Sequence, residues 1–299
     1  MTPKYFTLNR GARILAWTML VLCLLSTQLQ AAVRFELSHT TRKQGDPFYV
    51  WVHSDEPIKS GTVRFNGKTY TLFEREDWGS KQYLAYLGVS RYAPIKKHKL
   101  DLSLNLRNGT EFKTAAYLQV KDGGFKKEHI TLSRKKEKTR SNKKTLSKEQ
   151  RSMGPAFRAK TEKKLFKTSF IVPVVGGRIS SPFGKMRVYN GTPGWSHAGT
   201  DFAKGLGAEI LAAQQGRVLL ADFMSIHGNT VMIDHGWGIV SIYNHLDTLS
   251  VKEGAWVHQG QVIGTMGSTG VSTGPHLHWG ISLQNERVDP MQWLKIPII

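Results

Sequence analysis

At 299 residues, 40% of them hydrophobic and 21% charged, the chain is long enough for two cores and too apolar for a disordered polymer. Its net charge of +20 is unevenly spread: about +3 over residues 1–32, +5 over 33–120, +12 over 121–168 and zero over 171–299. Such basicity invites a nucleic-acid reading, but no zinc finger, RNP-type aromatic motif or clear helix-turn-helix pattern accompanies it.

Lys4, Arg10 and Arg13 precede an apolar run over residues 14–25, and Ala31 and Ala32 follow. Basic, apolar and small residues in that order predict a signal peptide over 1–32, and hence export to the periplasm or beyond. The run falls short of the roughly 20 residues that span a bilayer. An uncleaved anchor in the inner membrane is the alternative. The sole cysteine, Cys23, lies inside this run. The mature chain therefore has no disulfide and no thiol nucleophile, and any metal must be held by His, Asp or Glu.

Residues 33–120 read as short strands at 48–52, 61–65, 83–87 and 100–104, punctuated by turn residues such as Asn66-Gly67, a strong hairpin signal. They predict a small antiparallel β-sandwich with no catalytic set and with Trp51 and Trp78 in its core. Residues 121–169 form a basic linker, partly helical around 146–166, whose charge suits an anionic envelope surface. From residue 170 the pattern is β again. Strands at 218–221, 229–233, 239–243 and 261–264 are joined by glycine-rich turns without intervening helices, which predicts an antiparallel sheet. The fold class expected is mainly β: sandwich, basic connector, antiparallel C-terminal domain.

Seven of the eleven histidines lie between His197 and His278. In Gly274-Pro275-His276-Leu277-His278-Trp279-Gly280 the two histidines sit two residues apart, on one face of a strand, where a metal ion or shared water gives a reason for the pair. His197-Ala198-Gly199-Thr200-Asp201 offers a nitrogen and an oxygen ligand acceptable to zinc. Tyr243-Asn244-His245-Leu246 adds a third histidine after a strand. No HExxH motif supplies a glutamate base, and no G-x-S-x-G elbow supports a serine triad.

Together these motifs resemble the lysostaphin/LytM-type peptidoglycan metallopeptidases, which carry HxGxD, YxHL and GPHLH in this order. Ser180-Ser181-Pro182-Phe183-Gly184, Ile233-Asp234-His235-Gly236, Gly260-Gln261-Val262-Ile263-Gly264 and Gly270-Val271-Ser272-Thr273-Gly274 extend the resemblance over about residues 176–294. It implies that His197, Asp201 and His278 hold Zn2+ with a fourth position open to water. It also implies that His245 and His276 take a proton from the water and steady the oxyanion. The substrate implied is peptidoglycan, cleaved at amide bonds of its peptides, with D-alanyl cross-links favoured. Some relatives have lost ligands and act as regulators of other wall hydrolases, but every ligand position is filled here. Two departures stand out: Trp279-Gly280, where many members have an aromatic followed by an acid, and Lys204-Gly205 in place of Ala-Pro. His235 is expected to support the fold, and His227 and His258 to sit in exposed loops. The domain ahead of the peptidase is expected either to cover its groove or to bind the wall.

Overall fold

Strict alternation in Pro47–Ser54 buries Phe48, Val50 and Val52 and leaves Tyr49, Trp51 and His53 half-buried on the opposite side. This strand therefore has two apolar faces, and each finds a partner. The computed structural model describes residues 33–75 and 81–298, so the signal-like segment and Trp78 lie outside the described residues. One sheet runs in the order Val33–Leu37, Pro47–Ser54, Gln82–Gly88, Phe73–Glu74. The other runs Thr41–Lys43, Glu111–Lys121, Lys97–Leu106, Ile58–Phe65, Lys68–Thr71. Phe48 and Phe65 join them edge to face, ring centroids 5.3 Å apart. Asn66 and Gly67, both at positive φ, make the two-residue turn that sets Phe65 opposite Lys68.

The second face points at the C-terminal domain. Residues 83–88 are buried without a break, the signature of a strand covered on both sides. Tyr86 packs edge to face on Trp293, centroids 5.1 Å apart, and Phe73 stacks on Trp237 at 6.2 Å. Both aromatic pairs, with Leu84, belong to the same core as Ile239, Tyr243, Leu277 and Ile281. Burying side chains of this size contributes roughly 2–3 kcal/mol each. The first N-terminal sheet and the C-terminal domain thus share one hydrophobic interior.

The basic segment is structured too. Lys127–Ile130 pairs in parallel with Met186–Tyr189. Helix α1, Arg134–Ser141, is capped by Ser133 and buries nothing; helix α2, Lys143–Phe157, is capped by Asn142. Met153 and Ala156 of α2 pack on Leu220, Met224, Met232, Val240 and Ile242. That cluster lies on the face of the C-terminal sheet turned away from the main core.

The C-terminal sheet runs Arg178–Ser181, Thr200–Ala203, Leu277–Leu283, Ile239–Leu249, Gly228–Asp234, Gly216–Met224, Trp256–Val257, antiparallel throughout as its short turns predict. Leu277, Trp279, Ile281 and Leu283 enter the main core, so His278 and Gly280 face the other way.

His235 does support the fold. Its Nδ1–H donates to the Gln215 carbonyl and its Nε2 accepts from the Ser241 hydroxyl, both at 2.7 Å, and burial lowers its pKa to about 4. The folded value lies below the ordinary 6.5. Stability is therefore full above pH 6.5 and falls toward pH 4, as the unfolded chain takes up a proton that the native ring refuses. Over that window the loss attributable to His235 is about 3 kcal/mol. Urea denaturation at pH 7 and pH 4 should show a correspondingly smaller drop in His235→Gln than in the parent; equal drops would contradict the assignment.

Candidate metal centre

Strand register assembles the centre. Asp201 is paired with His278, and His278 with Asn244, so the three stand side by side on the face opposite the main core. His197 enters from the loop before Thr200–Ala203. Gly199 lets it approach, since a Cβ there would lie 2.3 Å from the Trp279 carbonyl oxygen and 2.8 Å from the His278 ring.

His245 arrives by a different device. Asn229 pairs with Leu246 and Val231 with Tyr243, leaving Asn244 and His245 together opposite Thr230. Tyr243 and Leu246 both enter the main core, so this two-against-one bulge turns two consecutive side chains toward the centre. The cost is a left-handed backbone at His245, φ 65°, about 1 kcal/mol for a non-glycine residue. Its ring lies 4.8 Å from that of His276 and 6.4 Å from that of His278, centroid to centroid.

Three donor atoms meet at the heart of the site. His197 Nε2 lies 2.8 Å from Asp201 Oδ1 and 2.9 Å from His278 Nδ1, and His278 Nδ1 lies 2.8 Å from the same Oδ1. Among the described residues this is the one group of His, Cys, Asp or Glu with metal-holding geometry. His197 Nδ1–H donates to the Pro182 carbonyl at 2.9 Å, which leaves Nε2 as a lone pair facing a carboxylate. Burial lowers the pKa of His197, and that of His278 to about 3, so neither ring readily supplies a proton to relieve the contact. Burial would raise the Asp201 carboxyl, but facing His197 and His278 holds it well below the usual range. Two bare imidazole nitrogens and a carboxylate oxygen aimed at one point fit a borderline-soft divalent cation, and the donor set fits zinc.

Backbone carbonyls orient the other two rings in the same way. His245 Nδ1–H donates to Thr269 and His276 Nδ1–H to Gly274, each at 2.9 Å, so both Nε2 atoms are free for chemistry. His276 Nε2 stands 3.9 Å from Asp201 Oδ2. Burial, followed by the charges of His276 and His278, keeps the His245 pKa well below its ordinary value.

Residues 195–290 match the model of peptidase family M23. Over that span, about a third of the chain, the sequence is similar to peptidase family M23. Over 122 residues it is 41% identical to the DD-carboxypeptidase/endopeptidase Mpg of Neisseria meningitidis serogroup B, covering 40% of this chain and 28% of that one. Over 116 residues it is 38% identical to the peptidoglycan DD-endopeptidase ShyA of Vibrio cholerae serotype O1, covering 38% and 27%. The chain thus spans little more than a quarter of these relatives' length. A crystal structure of a peptidase M23 protein from Pseudomonas aeruginosa aligns over 83% of this chain and 92% of its own, with 25% identity and a TM-score of 0.58.

In the C-terminal domain the five histidine and aspartate side chains named from the motifs come together. His258 is exposed and apart from the centre. His227 is a correction: it is half-buried, and its Nδ1 bonds Glu149 of α2 at 2.6 Å, beside the Ile226 N–H that donates to the same carboxylate at 2.8 Å. A groove of about 620 Å³ opens over His197, His245 and His278. Trp195 and Tyr92 stand on one side and Met153 and Phe157 of α2 on another.

Two residues absent from the motifs complete the centre. Arg187 Nη2 donates to Asp201 Oδ2 at 2.5 Å, and Arg187 Nε to Glu128 at 3.2 Å. Glu128 also accepts from Lys185 at 2.8 Å and Ser181 at 2.9 Å. Burial opposes the charge on Arg187, yet Asp201 and Glu128 keep its pKa raised. The register that sets Glu128 beside Arg187 joins a strand of the basic segment to the C-terminal domain. The pair engages Oδ2 and leaves Oδ1 to His197 and His278. Arg187→Met should weaken zinc binding about 10- to 100-fold in a chelator competition, the usual effect of losing a partner to a ligand. Lys185→Ala, which touches Glu128 but not Asp201, should change it far less. Unaltered zinc affinity in Arg187→Met would show that the pair does not orient the ligand.

Proposed function

We propose that the protein is a zinc-dependent endopeptidase that hydrolyses amide bonds in peptidoglycan peptides, with D-alanyl cross-links the favoured target. The observation that carries this reading is a three-donor centre flanked by two histidines with free Nε2 atoms, with His197, His245 and His278 lining one groove. Zinc held by His197, Asp201 and His278 would supply Lewis acidity, acidifying water and polarising a carbonyl at neutral pH.

The side chains do the rest. With Nδ1–H engaged by Thr269, the depressed basicity of His245 keeps Nε2 unprotonated at neutral pH and ready to accept a proton from attacking water. His276, held by Gly274, can steady the developing oxyanion through Nε2–H in its imidazolium form, and His245 passes the proton it took from the water to the leaving amine. The groove walls exclude water and align an extended peptide. A regulator that has lost catalysis is the alternative, but no observation favours it, since all five side chains are retained. The signal-like residues 1–32 support export to the periplasm, where the wall polymer lies.

Purified peptidoglycan incubated with the mature chain should release soluble muropeptides whose masses identify the bond. His278→Ala should abolish both release and zinc binding. His245→Ala should keep its zinc and lose about 10²–10⁴-fold in kcat. Full activity in His245→Ala, or none in the zinc-loaded parent, would sink the proposal.

A further inference from the structure

The groove is lined by five arginines, and they differ in one respect. Arg187 pairs with Glu128 and Asp201, Arg140 pairs with Glu137, and Arg158 is exposed to solvent. Arg91 and Arg287 have no carboxylate within 4.0 Å among the described residues. The neighbouring Glu286 is occupied by Lys68 at 2.5 Å.

Arg287 is held by what surrounds it. Its Nε donates to the Ala198 carbonyl at 3.2 Å, one residue from His197, and its guanidinium lies over the Phe157 ring at 5.0 Å. It occupies the space above Gly280, where a Cβ would come within 2.5 Å of its Nη2. Gly280 follows His278 by two residues on the same strand face. Here that position offers Arg287 no carboxylate. Arg91 comes from the N-terminal domain. It lies 4.6 Å from the centroid of the Tyr92 ring, and its buried Nε has no hydrogen-bond partner. Tyr92 in turn accepts from the Ser196 N–H at 3.0 Å, which ties this corner to the residue before His197. The two guanidinium groups sense one another: burial, then the charge of Arg91, lowers the pKa of Arg287 to about 9.

Two like charges on one groove, each short of an acid, are stabilised by an anion that enters with the substrate. We infer that Arg91 and Arg287 form a carboxylate-binding subsite of the groove, built jointly by the N-terminal and C-terminal domains, that takes a free carboxylate of the peptide being cleaved. The inference rests on the peptidase reading above and extends it to substrate class: peptides carrying a free carboxylate near the scissile bond. Arginine suits the task because its planar fork engages both carboxylate oxygens. It also gives the N-terminal domain a place in substrate recognition, beside the centre.

The test compares a cross-linked stem-peptide dimer having free C-terminal carboxylates with its C-terminally amidated twin. Binding is measured by calorimetry on the zinc-loaded mature chain in a His245→Ala background, so that the ligand survives. Amidation should weaken binding about tenfold, the effect of losing one charge-assisted pair. Arg91→Gln or Arg287→Gln should erase that difference. Gly280→Glu should erase it as well, by giving Arg287 a carboxylate of its own; its Cβ crowds the far end of the arginine and lies in ordinary contact, 3.5 Å, with the Ala198 carbonyl. Equal binding of the two peptides, no binding of either, or a preference that survives all three substitutions would overturn the inference. Cleavage of whole peptidoglycan by the parent is scored separately. Its absence alongside intact carboxylate discrimination would count against the peptidase reading and not against the subsite.

Discussion

Two imidazole nitrogens and a carboxylate oxygen within 2.9 Å of one another, nearly sealed from water, repel unless a cation lies between them. Free side chains would never gather in this way, so the fold has to impose the arrangement. It does so with strong backbone constraints. The antiparallel ladder fixes Asp201 beside His278, and Leu277 and Trp279, buried in the core on either side, stop that strand from slipping. Carbonyls of Pro182, Thr269 and Gly274 each hold an Nδ1–H, so the tautomer of three rings is decided by main chain. The result is a site organised before a metal or substrate enters it.

The same logic explains why segments outside the M23 match are woven into the domain. Residue 195 opens the matched region, yet Arg187, which holds the far oxygen of Asp201, and Glu128, which holds Arg187, lie ahead of it. Helix α2 covers the apolar half of the sheet face whose other half carries the histidines. Left bare, Leu220, Met232, Val240 and Ile242 would present an exposed apolar patch beside the groove. The first N-terminal sheet contributes Phe73, Leu84 and Tyr86 to the core on the opposite face. Both faces of the C-terminal sheet are therefore finished by chain that precedes it.

Much of this was legible in the sequence, for reasons that have a physical basis. Alternation at residues 47–54 and the Asn66-Gly67 turn are local signals, and local geometry obeys them. The histidine motifs are equally local, because register and a two-residue period place His278 opposite the core residue Leu277. What the sequence did not disclose depends on contacts between distant segments. Glu128 reads as one acid in a lysine-rich stretch, and only the parallel pairing with Met186–Tyr189 brings it to Arg187. Likewise Glu149 lies 78 residues from His227, and nothing at short range links them. The basic segment reads as a linker because its composition is polar; its strand and second helix rest on surfaces supplied by the C-terminal domain.

His245 shows most clearly where pattern reading stops. In a regular strand, Asn244 and His245 would point to opposite faces, and His245 would be lost to the main core. One extra residue opposite Thr230 returns it to the site, at the cost of a left-handed backbone. The strain is balanced by burial of Tyr243 and Leu246 on either side, both fully enclosed, and by the His245 N–H bond to the His227 carbonyl at 2.9 Å. His227 is the residue that Glu149 holds from α2. A helix from the basic segment thus bears on the backbone that supports the proposed base, which couples the geometry of the site to chain that no catalytic motif includes.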